Sequence, residues 1–139
     1  MTDRPSPCHC RVLREATRRT TQLYDRHLAP SGLRLGQYSV LAVLARAGPL
    51  TVGALAEALV MDRTATSRTL LPLQRDGLVG SGPGRDGRSR ALELTPTGRE
   101  RLAAARPLWL DAQAAFETAY GSEEARDLGR SLTRVVERI

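Results

Sequence analysis

Three features of this sequence predict a mainly α-helical fold with one small β-hairpin, a winged helix-turn-helix with long helices at either end. The stretch 51–79, TVGALAEALVMDRTATSRTLLPLQRDGLV, reads as a short helix, a tight turn and a second helix. Residues 80–90, GSGPGRDGRSR, join two short strand candidates through glycines and arginines, the composition of a flexible hairpin tip. Thr95-Pro96 is an N-cap followed by proline at the first helical position, and it opens a helix expected to run to about Tyr120.

The 139 residues are enough for one core and too few for two, so 1–139 is expected to be a single domain. With 41% hydrophobic and only 4% aromatic residues, that core is aliphatic and suits helices. The net charge is +6, and all 21 basic residues are arginine. Such a balance fits a polyanionic partner, and each cation is able to bind in bidentate fashion. The longest apolar run, around 38–45, is far below the roughly 18 residues a bilayer span needs, so no membrane association is expected. Asp3, Arg4 and two prolines stand where a secretory leader would be apolar, which predicts a cytoplasmic protein. In that compartment Cys8 and Cys10 are not expected to form a structural disulfide.

The elements follow in order. Residues 1–7, with Pro5 and Pro7, read as a mobile arm or a lead-in. From Cys8 to Leu28, Leu13, Ala16, Thr20, Leu23, Tyr24, His27 and Leu28 recur at helical spacing until Pro30-Ser31-Gly32 ends the helix. Its apolar stripe is narrow, as in a helix that finds part of its cover on another subunit. Residues 35–47 are apolar on nearly every side, which marks a buried helix stopped by Gly48-Pro49. Thr51 caps the next helix, with Leu50 and Leu55 forming a hydrophobic staple, and that helix ends near Leu59.

Asp62 caps the second helix of the pair. Ala65, Thr69 or Leu70, and Leu73 point inward, while Arg63, Thr64, Thr66, Ser67 and Arg68 point outward. Pro72 predicts a bend or a loosened last turn. Leu78-Val79 and Ala91–Leu94 are the strand candidates. Between Arg63 and Leu92 six arginines face only Asp76 and Asp86, so a net +4 of the chain's +6 sits in about a fifth of it. The helix from Pro96 is expected to bend at Pro107, and Gly121–Glu124 stops it and starts a last helix carrying Leu128, Leu132, Val135, Val136 and Ile139.

A helix-turn-helix with this face sets its second helix in the DNA major groove. Arg68 is suited to a guanine edge, and Thr64, Thr66 and Ser67 to phosphate or a thymine methyl. Arg75 either touches phosphate or pairs with Asp76. The hairpin adds Arg85, Arg88 and Arg90.

The element order, with MDRTATSRTLLPLQRDGLV at 61–79 and DGRSRALELTPTG at 86–98, resembles the MarR family of winged-helix transcriptional regulators. The likeness runs from about Cys8 to the end. It implies a sequence-specific binder of double-stranded DNA, usually a repressor, acting as a homodimer on a palindromic operator. Residues 33–95 would form the DNA-binding lobe, and 8–30 with 96–139 the dimerisation helices. Thr51 falls within the matching lobe, Arg88 at the wing residue that enters the minor groove, and Asp86 at the one that holds it in position. Two positions depart from the pattern: Val60 stands where glycine is common, which predicts a turn needing no positive φ, and Gly87 stands where a basic residue is usual.

Cys8-His9-Cys10 is a poor zinc site, since the one other histidine is His27 and no second cysteine pair completes four ligands. No metal or cofactor is expected. A thiol at a helix start beside Arg11 and Arg14 is in surroundings that favour reactivity. Hydroperoxide-sensing members of the MarR family carry a cysteine at this distance before the pair seen here as Gln37-Tyr38. By that resemblance Cys10, with Cys8 nearby, senses oxidant, and Tyr24 matches a tyrosine that holds the thiolate. Arg14 and Leu35 stand where two further sensor tyrosines would be. The family's other mode of control is a small aromatic effector between the terminal helices and the DNA-binding lobe, for which His27, Tyr38 and Trp109 are the candidate lining residues; aromatic residues on helix faces are more often plain core. Enzyme chemistry finds no paired carboxylates, phosphate loop or nucleophile-base geometry. A winged-helix module that binds another protein instead of DNA is the remaining alternative, and the arginine-rich segment argues against it.

Overall fold

A computed structural model describes residues 6–84 and 86–139, so most of the expected lead-in, over 1–5, and Arg85 lie outside the described residues. The order is α1 (His9–Leu28), α2 (Leu35–Ala47), α3 (Val52–Ala58), α4 (Arg63–Arg75), β1 (Val79–Pro83), β2 (Arg90–Leu94), α5 (Pro96–Tyr120) and α6 (Ser122–Arg138), with a 3₁₀ turn at Ala29–Ser31. Local chemistry sets most of these bounds. Thr51, Asp62 and Thr95 each accept a backbone N–H three residues on, from Ala54, Ala65 and Gly98. Gly32, Gly48 and Gly121 end their helices at positive φ.

The core lies where α2 meets α4, α5 and the hairpin. Leu28, Val40, Leu41, Leu44, Leu55, Leu70, Leu73 and Leu78 are all sealed from solvent. Antiparallel β1 and β2 pair from Val79 with Leu94 to Pro83 with Arg90. The hairpin therefore starts one residue later than Leu78 and extends through the glycines that read as loop, because the pairing needs only backbone groups. Leu50 joins this sheet: its N–H donates to Leu92 O at 3.0 Å and its carbonyl accepts from Leu92 N at 2.7 Å.

Gly98 permits a close approach between α5 and the hairpin. A Cβ there would overlap the Leu78 carbonyl and stand 2.8 Å from Leu94 Cδ1. The same carbonyl accepts from Thr95 N, and Thr95 Oγ1 donates to the Gly77 and Leu78 carbonyls. The start of α5 is thus pinned to the first residues of the hairpin.

Three expectations are corrected. The last turn of α4 is not loosened by Pro72: the helix runs to Arg75, and Asp76 N still reaches Pro72 O at 3.0 Å. Its ring sits near the end of the helix, where one missing donor is tolerated. Thr66 is buried rather than outward, and its Oγ1 donates to Asp62 O at 2.8 Å, which satisfies the hydroxyl inside the fold. Val60 has φ 54°, against the expected ordinary turn.

The Val60 geometry follows from how α3 closes. Val60 N donates to Glu57 O and Met61 N to Ala56 O, the paired bonds that need a left-handed residue between them. Helix α4 closes identically, Gly77 N to Gln74 O and Leu78 N to Leu73 O, but there the left-handed residue is glycine. A β-branched residue in that region costs about 1–2 kcal/mol. Val60 is 73% exposed, so it offsets little of this by packing. Val60→Gly is expected to stabilise the protein by about 1 kcal/mol, less whatever glycine loses in unfolded-chain entropy. A thermal melt checks this, and a lowered midpoint would refute the strain.

Candidate nucleic-acid interface

Helix α4 presents one face to solvent. Thr64, Arg68, Leu71 and Arg75, spaced four, three and four, are all exposed, with Ser67 beside them, while Thr66, Leu70 and Leu73 face the core. Leu71, 63% exposed, is an apolar member of this face that sequence reasoning missed. Its spacing from Thr64, one heptad on, was the available signal. Arg75 Nε is 3.4 Å from Asp76 Oδ1, an exposed pair that contributes little to stability.

Arg63 opens α4 and lies over α3. A Cβ on Gly53 would come within 2.7 Å of Arg63 Nη2, so the absent side chain of Gly53 is the notch that receives the guanidinium. Thr51 and Asp86 line one cleft of about 330 Å³ between α3 and the hairpin. The helix pair and the hairpin therefore share one continuous surface.

At the hairpin tip a single carboxylate shapes the turn. Asp86 Oδ1 accepts from Arg88 N at 3.0 Å, from Ser89 N at 3.1 Å and from Ser89 Oγ at 3.0 Å. The bonds from Arg88 and Ser89 hold its pKa below the ordinary aspartate value. The turn is accordingly held together above the usual aspartate range and loosens only as pH falls through the lowered value. Asp86 holds the backbone of Arg88 and not its guanidinium, which engages no ion pair among the described residues. Gly87, with φ 71°, supplies the conformation the tip requires. Arg90 Nε donates across the hairpin to Ser81 Oγ at 3.0 Å. Arg85 lies outside the described residues.

A profile of the MarR family matches residues 31–89, the segment that contains this surface. The transcriptional regulator MosR of M. tuberculosis is 36% identical over 96% of this chain and 98% of its own, with a TM-score of 0.80. The chain belongs to the MarR family. A second MosR structure, in complex with DNA, is 38% identical over 94% of this chain and 97% of that one, with a TM-score of 0.78. A variant of E. coli MarR complexed with operator DNA, 23% identical over 90% and 91%, shares the fold with a TM-score of 0.80. No curated protein matches the chain. As a MarR-family member it is a winged-helix transcription regulator, and the enzyme reading is set aside.

The remaining site residues of this MarR-family chain fall in two places. Cys8, the N-cap residue of α1 in extended conformation, and Cys10, in its first turn, are both exposed free thiols. Tyr24 lies fourteen residues beyond Cys10, roughly 21 Å along the helix. Its hydroxyl donates to Gln113 Oε1 of α5, and burial, then Glu117, raises its pKa. Within one chain Tyr24 does not reach Cys10. Tyr38 and Trp109 do come together, with rings stacked at 5.8 Å and 15°. They line an open cavity of about 610 Å³ between α2 and α5, rimmed by Arg46, Arg99 and Arg106. Burial raises the Tyr38 pKa, and the Arg106 guanidinium partly offsets it. His27 is half-buried on α1 and is no part of that lining. Among the described residues no helix is long and apolar enough to cross a membrane, and no group of three or more side chains is placed to hold a metal.

Proposed function

We propose that the protein is a cytoplasmic repressor that binds a palindromic double-stranded DNA operator as a homodimer and leaves it when Cys10 is oxidised. The observation that carries the DNA contact is the exposed face of α4, with Thr64, Ser67 and Arg68 beside a hairpin whose Asp86 fixes the turn and leaves the Arg88 side chain free. Arg68 reads base edges, and Arg63, Thr51, Arg75, Arg88 and Arg90 meet the sugar-phosphate backbone or the minor groove. Thr66, sealed in the core, is not among the contacts.

Two copies are supported by apolar side chains left exposed at the chain ends: Val12 and Leu13 on α1, Leu132, Val135 and Val136 on α6, with Ile139 after it. Oxidant release is supported by the exposed Cys10 thiol in the first turn of α1, next to Arg11 and near these residues in sequence. Tyr24 of the same chain is out of reach, so a tyrosine that holds the Cys10 thiolate would have to be the second copy's.

Selection of bound sequences from random duplex DNA, repeated with an organic hydroperoxide, tests the whole reading. A palindrome is expected, and its binding should fall with oxidant in the parent but not in Cys10→Ser. Identical oxidant responses of the two proteins would remove the redox part. Absence of salt-sensitive duplex binding would remove DNA and favour a protein partner.

The arginine-rimmed cavity favours a second mode of control. A small aromatic carboxylate would stack on Tyr38 and Trp109 and pair with Arg46, Arg99 or Arg106. Such a ligand would quench Trp109 fluorescence.

A further inference from the structure

A helix with its side chains is about 10–12 Å across, and the major groove of B-DNA is about 12 Å wide. When α4 lies in that groove, both of its flanks come close to a phosphate strand. One flank faces Arg63, seated on Gly53, and the cleft at Thr51. The other flank, formed by Arg68, Thr69 and Pro72, borders a cleft of about 400 Å³ whose far wall is the corner between α1 and α2. That corner lies before the helix-turn-helix pair α3–α4 in the chain, with Thr21 and Asp25 on α1 and Arg34, Gly36 and Gln37 at the start of α2.

The cleft brings Arg34 and Arg68 together across it. One carboxylate, Asp25, shares the space, and it already accepts the Leu35 N–H at 2.8 Å. Arg34 is exposed, and no ion pair among the described residues engages it. Its backbone is fixed, since Arg34 N donates to Gln37 Oε1 at 3.0 Å at the start of α2. Two guanidiniums against one occupied carboxylate leave a cationic cleft open beside the recognition helix. A single anionic oxygen group fits that arrangement.

We propose that Arg34 binds a DNA backbone phosphate on the strand flanking the Arg68 side of α4, opposite the strand met by α3. This rests on the DNA-binding reading above. Arg34 thereby sets how deep and at what roll α4 sits, so that Arg68 meets a base edge; it carries no sequence information itself.

The test is equilibrium binding of the parent, Arg34→Gln and Arg34→Lys to one selected operator duplex over a series of salt concentrations. For Arg34→Gln the slope of log affinity against log salt is expected to shrink by about 0.9 per bound chain, the value for one lost phosphate contact on B-DNA. Arg34→Lys, which keeps the charge, is expected to keep the slope. Replacing phosphates one at a time by neutral methylphosphonates should reveal one position in each half-site that weakens the parent and leaves Arg34→Gln unaffected. A parent slope retained by Arg34→Gln, or a weakened affinity at unchanged slope, overturns the proposal while leaving the DNA-binding reading intact. A parent that binds no duplex overturns both.

Discussion

Replacing Arg68 by alanine is expected to collapse the protein's preference for its operator over scrambled duplex by about ten- to a hundredfold, the worth of a bidentate guanine contact. Arg68 is exposed on the outward face of α4, in the same row as Thr64 and Leu71, so its loss removes no packing. The thermal midpoint should therefore stay with the parent. Binding to scrambled duplex should fall only slightly, because that binding is electrostatic and the Arg88, Arg63 and Arg75 cations remain. Competition binding with operator and scrambled duplexes reads the ratio directly. If Arg68→Ala keeps the parental ratio, the base contact belongs elsewhere on the face, and Leu71 is the next residue to vary.

Gly98→Ala is expected to destabilise the fold by about 2–3 kcal/mol, the cost of forcing a methyl group into a filled space. The site is helical, where alanine is ordinarily favoured over glycine by about 1 kcal/mol, so the sign of the result is diagnostic. Here the added Cβ meets a backbone oxygen, that of Leu78, and not the movable end of a side chain. Relief requires α5 to move away from the hairpin, which stretches the bonds from Thr95 to Gly77 and Leu78. Denaturant unfolding of parent and variant gives the difference. An unchanged or raised midpoint would mean that the junction yields freely.

The helices were legible because their ends are written in adjacent residues. Thr51, Asp62 and Thr95 cap as their types suggest, and glycines stop α2 and α5. The family was legible for the same reason, through the contiguous runs at 61–79 and 86–98. What stayed hidden depends on partners distant in the chain or on shape. Leu50 looked like half of a hydrophobic staple, and its hydrogen bonds to Leu92, beyond the whole helix-turn-helix, are invisible to local pattern. Thr66 was read outward, although its spacing from Leu70 and Leu73 puts it inside. Val60 shows that a turn's geometry is set by how the preceding helix closes, whichever residue occupies it. Arg34 was unremarkable in sequence, and only the fold sets it across a cleft from Arg68.

The bridge between Leu50 and Leu92 has a mechanical consequence. Leu50 immediately precedes the residue that caps α3, and Leu92 sits in the middle of β2. Two backbone hydrogen bonds therefore rivet the hairpin to the entrance of the helix pair, while Thr95 and Gly98 fasten its other edge to α5. The hairpin has no hinge of its own at its base. If a signal near the chain ends shifts this lobe, the helix pair and the hairpin move as one body, and the base and hairpin contacts proposed above would be gained and lost together.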